Sequence, residues 1–176
     1  TVNGQVMNDL GASQLALGGL TDGVSVVDMA AAYSVFPRNG LYVEPRTYTK
    51  VTRVLDDGTE EVLLDNTQNQ PEAVLSEETT WYINDMLKNV VTGKFGGATG
   101  TGAQLSGMTV AGKTGTAETN KEYNDSWFVG FAPADNPRIV VAVVIEEGVH
   151  GDDESGEASS RAKSVIQTAL EVQGLL

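Results

Sequence analysis

The run Ile139-Val140-Val141-Ala142-Val143-Val144-Ile145 constrains the fold more than any other stretch. It is uninterruptedly apolar, so it reads as a strand with both faces covered. It is also too short to span a bilayer. Two further strand-like runs precede it, Met108 to Thr116 and Asp125 to Phe131. The polar segment Thr119 to Asn124 joins them and has hairpin length, and Pro133 and Pro137 bracket the next turn. Strands joined by such short loops favour an antiparallel sheet flanked by helices over a doubly wound one. The predicted class is α/β of the α+β kind, with residues 1–176 forming part of a single domain.

The helices that cover such a sheet are legible from caps and spacing. Ser25 to Phe36 begins at a capping serine with Asp28 three residues on. Val27, Ala30, Ala31 and Ser34 form a narrow face, Pro37 marks the end, and Asn39-Gly40 makes a turn. Ser76 caps a second helix to Val91, with Glu77 and Glu78 in its first turn. Its stripe is Ile83, Leu87, Val90 and Val91, partly joined by Trp81 and Met86, and Gly93 terminates it. A closing helix from about Ala158 to Val172 directs Ala162, Val165, Ile166, Ala169 and Leu170 at the sheet. Tyr42 to Leu64 reads as extended, with Glu61 to Leu64 pairing back on Lys50 to Leu55 around Asp57-Gly58. Residues 1–23 read as a Gly-rich surface connector, and residues 65–75 as a polar linker.

Composition removes several functions. A chain of 176 residues with 40 % apolar content can bury a sizeable core. Its formal net charge of -13 argues against nucleic acid as a partner, since no basic patch displaces counterions. With no cysteine and a single histidine, His150, thiolate catalysis, disulfides and Cys- or His-rich metal sites are excluded. Asp152, Asp153, Glu154 and Glu157 miss the spacing of a calcium loop, so Glu146 to Glu157 reads as a solvated acidic loop. Residues 92–107 superficially resemble a phosphate loop but lack its spacing, and read as a mobile loop bordering a groove. No cofactor and no metal is expected.

The chemistry collects at Val110-Ala111-Gly112-Lys113-Thr114-Gly115-Thr116. Lys113 supplies a point charge with three donors, and Thr114 and Thr116 supply hydroxyls. An exposed strand edge adds backbone groups for an extended substrate. Together they suit a peptide carboxylate or a developing oxyanion. An ordinary Gly-Lys-Thr-Gly turn is the plain alternative.

Lys113-Thr114-Gly115 matches the third motif of penicillin-binding proteins and serine β-lactamases. With Ala111 to Glu118, then Asp125-Ser126-Trp127-Phe128-Val129-Gly130-Phe131-Ala132-Pro133, the chain resembles the transpeptidase domain of a bifunctional, class A penicillin-binding protein. Asp28-Met29-Ala30-Ala31-Ala32-Tyr33, with Phe36, Asn39 and Gly40, resembles the helix and turn before the motif strand. The resemblance extends from about Gly11 to Leu170. It implies that Lys113 supports the electrostatics around a nucleophilic serine and the substrate carboxylate. It implies further that Thr114 helps bind that carboxylate, and that the Thr116 N–H is one oxyanion donor. Gly115 belongs to the same substrate-binding motif. Glu118 carries no assigned role, and Trp127 is either core support or a groove residue.

The family's S-x-x-K and S-x-N motifs normally precede the KTG strand, and residues 1–112 contain neither. The one S-x-x-K string, Ser160-Arg161-Ala162-Lys163, falls after it and reads as coincidental. The expectation is therefore the C-terminal part of a transpeptidase domain, incomplete at its N-terminus. The nucleophile and base would come from a missing N-terminal part, possibly as a separate chain. For the parent, the resemblance implies peptidoglycan stem peptides and β-lactam antibiotics as partners. It also implies a membrane anchor and a place on the extracytoplasmic face of a bacterial membrane. A noncatalytic substrate-binding or regulatory domain of the same fold is the competing expectation. A stand-alone β-lactamase fragment fits less well with the Ala30–Tyr33 helix and the long 42–64 hairpin region.

Overall fold

The computed structural model describes residues 11–12, 18, 20, 23–118, 122–150 and 157–176, without the side chains of 148–150. The expected connector over 1–23, the first half of the 119–124 link, the His150 side chain and Asp152 to Glu154 fall largely or wholly outside these residues.

The centre is a three-stranded antiparallel sheet of β5 (Ala111–Ala117), β6 (Tyr123–Ala132) and β7 (Ile139–His150), in the order β5-β6-β7. Before it come α1 (Val26–Ser34), a 3-10 turn (Phe36–Arg38), β1 (Leu41–Tyr42), β2 (Lys50–Val54), β3 (Glu60–Asp65), β4 (Glu72–Ala73) and α2 (Glu77–Thr92). After it comes α3 (Glu157–Val172). The antiparallel sheet with flanking helices is as expected.

Strand alternation divides the sheet into two faces. Phe128 sits opposite Thr114 and Val143 in the ladder, whereas Phe131 sits opposite Ala111 and Val140. Phe128, Ala132 and Val141 pack with Ala158, Ala162, Ile166 and Leu170 of α3. Phe131 and Ala111 pack with Leu87 of α2, joined by Tyr33, Phe36, Ile83 and Val140. The apolar run of β7 is thus covered on both faces, as its composition demands. Phe128, Phe131, Ile166 and Leu170 are fully buried, and each such side chain contributes about 1.5–3 kcal/mol.

The helix starts follow their caps. Ser25 Oγ accepts from the Asp28 N–H at 3.1 Å, and Ser76 Oγ accepts from the Thr79 N–H at 3.1 Å. Gly93 closes α2 at φ 71°, its N–H donating to the Asn89 carbonyl at 2.9 Å.

Several boundaries and faces differ from the expectation. Strand β7 continues to His150, so residues 146–150 are strand rather than loop. Pairing accounts for this: Asn124 and Tyr123 sit opposite Val149 and His150 beyond a bulge, where Glu147 takes φ 54°. Its N–H donates to Asp125 Oδ1 at 2.9 Å. Within the 65–75 linker, Glu72 and Ala73 pair with Tyr42 and Leu41. Gly40 makes this possible, because a Cβ there would fall 2.0 Å from the Leu75 carbonyl oxygen. Pro37 lies inside the 3-10 turn instead of ending the helix. Val27, Trp81 and Met86, expected on apolar stripes, are 60 %, 65 % and 59 % exposed. The rest of each expected stripe holds: α1 is buried through Ala31, and α2 through Leu87 and Val91.

Gly112 and Gly130 are paired across β5 and β6. A Cβ on Gly112 would meet the Phe128 ring at 2.5 Å, and one on Gly130 would meet the Ala111 carbonyl oxygen at 2.5 Å. The Phe128 ring therefore lies over the bare glycine pair and ties both strands to the α3 face. Replacing Gly130 by Ala is expected to destabilise the chain by about 1–3 kcal/mol, read as a lower urea midpoint.

Candidate active site

Strand β5 is the outer strand of the described sheet, so one of its edges has no neighbouring strand among the described residues. Lys113 pairs with Val129 and Gly115 with Trp127. These residues share the sheet face that carries Phe131, away from α3. Over them lies an open groove of ≈ 370 Å³, with Met29 and Tyr33 of α1 on its far side and Thr114, Thr116 and Asp125 among its lining residues. All four motif residues thus reach one groove.

Their environments differ. Lys113 is exposed, and its Nζ donates to the Thr114 carbonyl at 2.5 Å. Among the described residues its ammonium makes no ion pair, so a free cation faces the groove of a chain with net charge -13. Thr114 Oγ1 lies 2.6 Å from Thr99 Oγ1. Thr116 is exposed and pairs with Ser126 in the ladder. Asp125 points its carboxylate into the β6–β7 bulge through Glu147, which orients it at the groove's end. A hypothetical Cβ on Gly115 meets only Trp127 Cβ, at 3.5 Å. The sheet has room for a side chain there, so Gly115 keeps the groove floor open rather than relieving a clash. Gly130, by contrast, is required by close backbone approach.

Two contributors were not readable from sequence, and a third comes from a segment expected to border a groove. Tyr33 and Met29 belong to a helix expected to serve only the core. Tyr33 packs edge-on against Phe36 with ring centroids 5.2 Å apart, and burial pushes its phenol above the usual tyrosine range. Its hydroxyl is therefore a neutral donor and acceptor beside the groove. Thr99 joins from the glycine- and threonine-rich segment. That segment is pinned rather than loose: Gly100 N–H donates to the Val90 carbonyl at 3.0 Å, and Gln104 Nε2 donates to the Val91 carbonyl at 2.8 Å. Trp127 is half-buried and lines the groove.

Ser160 and Lys163 sit on α3, which packs on the opposite face of the sheet. Neither lines the groove of Lys113. Among the described residues no group of three or more His, Cys, Asp or Glu is placed to hold a metal, and no helix is long and apolar enough to cross a membrane.

A groove with a free lysine on a KTG strand edge, in an antiparallel sheet flanked by helices, defines a transpeptidase-like fold. Residues 2–168 match the family described as penicillin binding protein transpeptidase domain, and the chain belongs to that family. It is 43 % identical over 111 residues to penicillin-binding protein 1A of Clostridium acetobutylicum, covering 63 % of this chain and 12 % of the relative. It is 38 % identical over 158 residues to penicillin-binding protein 1A/1B of Bacillus subtilis, covering 82 % of this chain and 15 % of the relative. The chain thus spans a small fraction of these relatives' length. The D,D-transpeptidase domain of a peptidoglycan glycosyltransferase from Eggerthella lenta superposes with TM-score 0.72 at 40 % identity, covering 87 % of this chain and 33 % of that one. Penicillin binding protein 3 of Mycobacterium tuberculosis, complexed with aztreonam, shares the fold at 23 % identity and TM-score 0.69, over 86 % of this chain and 36 % of that one.

Two outcomes follow from this geometry. Gly115→Ala is expected to change stability by no more than about 0.5 kcal/mol, in contrast to Gly130→Ala, when both are compared by urea unfolding. In an alkaline absorbance titration, Tyr33→Phe removes a phenol that ionises above the ordinary tyrosine value. Because burial favours the neutral form, its contribution to stability is intact below that value and declines as pH rises through and beyond it.

Proposed function

We propose that this chain forms the KTG wall of a serine D,D-transpeptidase that cross-links peptidoglycan stem peptides and is acylated by β-lactams. The carrying observation is the Lys113 ammonium, free of a carboxylate among the described residues and set on a sheet edge beside the open floor at Gly115. Such an edge suits an extended peptide, and such a cation suits its carboxylate.

In this reading the attacking serine and its base lysine come from a further part of the parent protein, on the same chain or another. Two features support a missing neighbour. The groove has an apolar side formed by Met29, Tyr33, Trp127 and Val129 with nothing packed into it among the described residues. The outer edge of β7, a long apolar strand, likewise has no strand beside it among the described residues. The serine Oγ attacks the penultimate D-Ala carbonyl, an ester forms, and the amide bond to the terminal D-Ala breaks as that amine takes a proton. The amine of a neighbouring stem then displaces the serine, which regains its proton. Lys113 and Thr114 hold the substrate carboxylate. Lys113 also favours the ionised serine, and the Thr116 N–H donates to the oxyanion, with its hydroxyl as a further carboxylate contact. The parent is membrane-anchored and works on the extracytoplasmic face of a bacterial membrane, in cell-wall synthesis.

Fluorescent penicillin tests this. The 176-residue chain alone stays unlabelled, including at Ser160, while the intact parent is labelled at a serine outside it. Lys113→Ala in the parent slows acylation on the order of a hundredfold. An unchanged rate removes the role given to Lys113, and an unlabelled parent favours the noncatalytic domain.

A further inference from the structure

The chain has five arginines. Three are engaged: Arg53 with Glu61, Arg161 with Glu157, and Arg46 with the Asn66 carbonyl. The guanidiniums of the other two, Arg38 and Arg138, have no hydrogen bond or ion pair among the described residues; both residues are exposed and line the same groove of ≈ 260 Å³. This groove lies between the 3-10 turn after α1 and the start of β7. Its β7 residues, Ile139 and Val140, pair with Ala132 and Phe131, at the far end of the ladder from Thr116 and Ser126.

The two arginines are presented in the same way. Each directly follows a proline, Pro37 or Pro137, and both prolines line the groove. Proline fixes its own φ, so the backbone leading into each arginine is stiff. Each arginine's own N–H is also committed: Arg38 donates to the Val35 carbonyl at 3.2 Å and Arg138 to the Ala132 carbonyl at 2.9 Å. Among the described residues no carboxylate lines the groove. Ser34 gives its hydroxyl proton to the Ala31 carbonyl at 2.7 Å, which leaves its lone pairs rather than its proton toward neighbours. In a chain of net charge -13, two unpaired guanidiniums on one small groove form a local positive site within an acidic field.

We propose that Arg38 and Arg138 form a binding site for an oxyanion, a phosphate or carboxylate group, separate from the groove of Lys113. Each guanidinium offers a planar fork that matches two oxygens of such a group, and the fixed backbones lower the ordering cost of binding. The group belongs either to a free anion or to an acidic side chain of the parent protein outside this chain. Both present the same chemistry to the two arginines.

Inorganic phosphate titrated into the labelled 176-residue chain at low ionic strength, followed by amide NMR, tests the site. The expected result is saturable shifts confined to residues 34–40 and 137–140. Arg38→Gln and Arg138→Gln each weaken binding roughly tenfold or more, and the Arg→Lys pair fails to restore it despite keeping the charge. Unchanged spectra elsewhere establish that each variant is folded. Absence of saturation in the unmodified chain, or saturation of equal strength in both Gln variants, overturns the site. The same titration of the intact parent separates the sources. Phosphate binding there identifies a free anion, whereas loss of binding with the groove amides protected identifies an acidic side chain of the parent.

Discussion

The register of β5 on β6 is the constraint on which the rest depends. Seven pairs run from Ala111 opposite Phe131 to Ala117 opposite Asp125. A slip of one residue would send Lys113 and Gly115 to the α3 face and take the ammonium away from the groove. The Gly112–Gly130 pair beneath Phe128 guards against that slip, because only glycine tolerates the ring and the neighbouring carbonyl. A bulky residue moved into either position would meet Phe128 or the Ala111 carbonyl oxygen. The packing that buries Phe128 against α3 and the presentation of Lys113 on the other face are thus two consequences of one alignment.

The same sheet explains why the two faces have different uses. Its α3 face is closed by Ala158, Ala162, Ile166 and Leu170, small and branched residues that let a helix lie close. The other face is closed only toward Phe131 and Val140, where Leu87, Phe36 and Tyr33 pack. Farther along, around Trp127 and Lys113, it opens into the groove. The polar groups there are held in different ways: Thr114 by Thr99, Asp125 by the Glu147 N–H, and Lys113 by a carbonyl of its own strand. Only the last leaves a full positive charge facing the open space.

Much of this was legible in the residues. The uninterrupted run from Ile139 announced a doubly covered strand, Ser25 and Ser76 announced helix starts, and the KTG strand with its surroundings announced the family. Other features had no local signal. The acidic residues after Ile145 gave no sign that β7 would continue, since that follows from partners on Tyr123 and Asn124. Trp81 and Met86 partly fit the stripe of α2, yet the helix buries the expected Leu87 and Val91 and leaves those two exposed.

The sequence by itself determined which segments are strand or helix, the class of sheet, and the cluster of lysine, threonine and glycine on one strand. These are set within a few residues, by periodicity, caps and turn chemistry. Tertiary structure decided that Tyr33 and Met29 face Lys113, that Thr99 touches Thr114, and that Arg38 and Arg138 share a groove although one hundred positions separate them. It also decided that Ser160 and Lys163, plausible by spacing, stand on the wrong side of the sheet. The reason is physical: a site is made by side chains that distant elements bring to one face, and that placement is fixed only when the sheet pairs and the helices close over it.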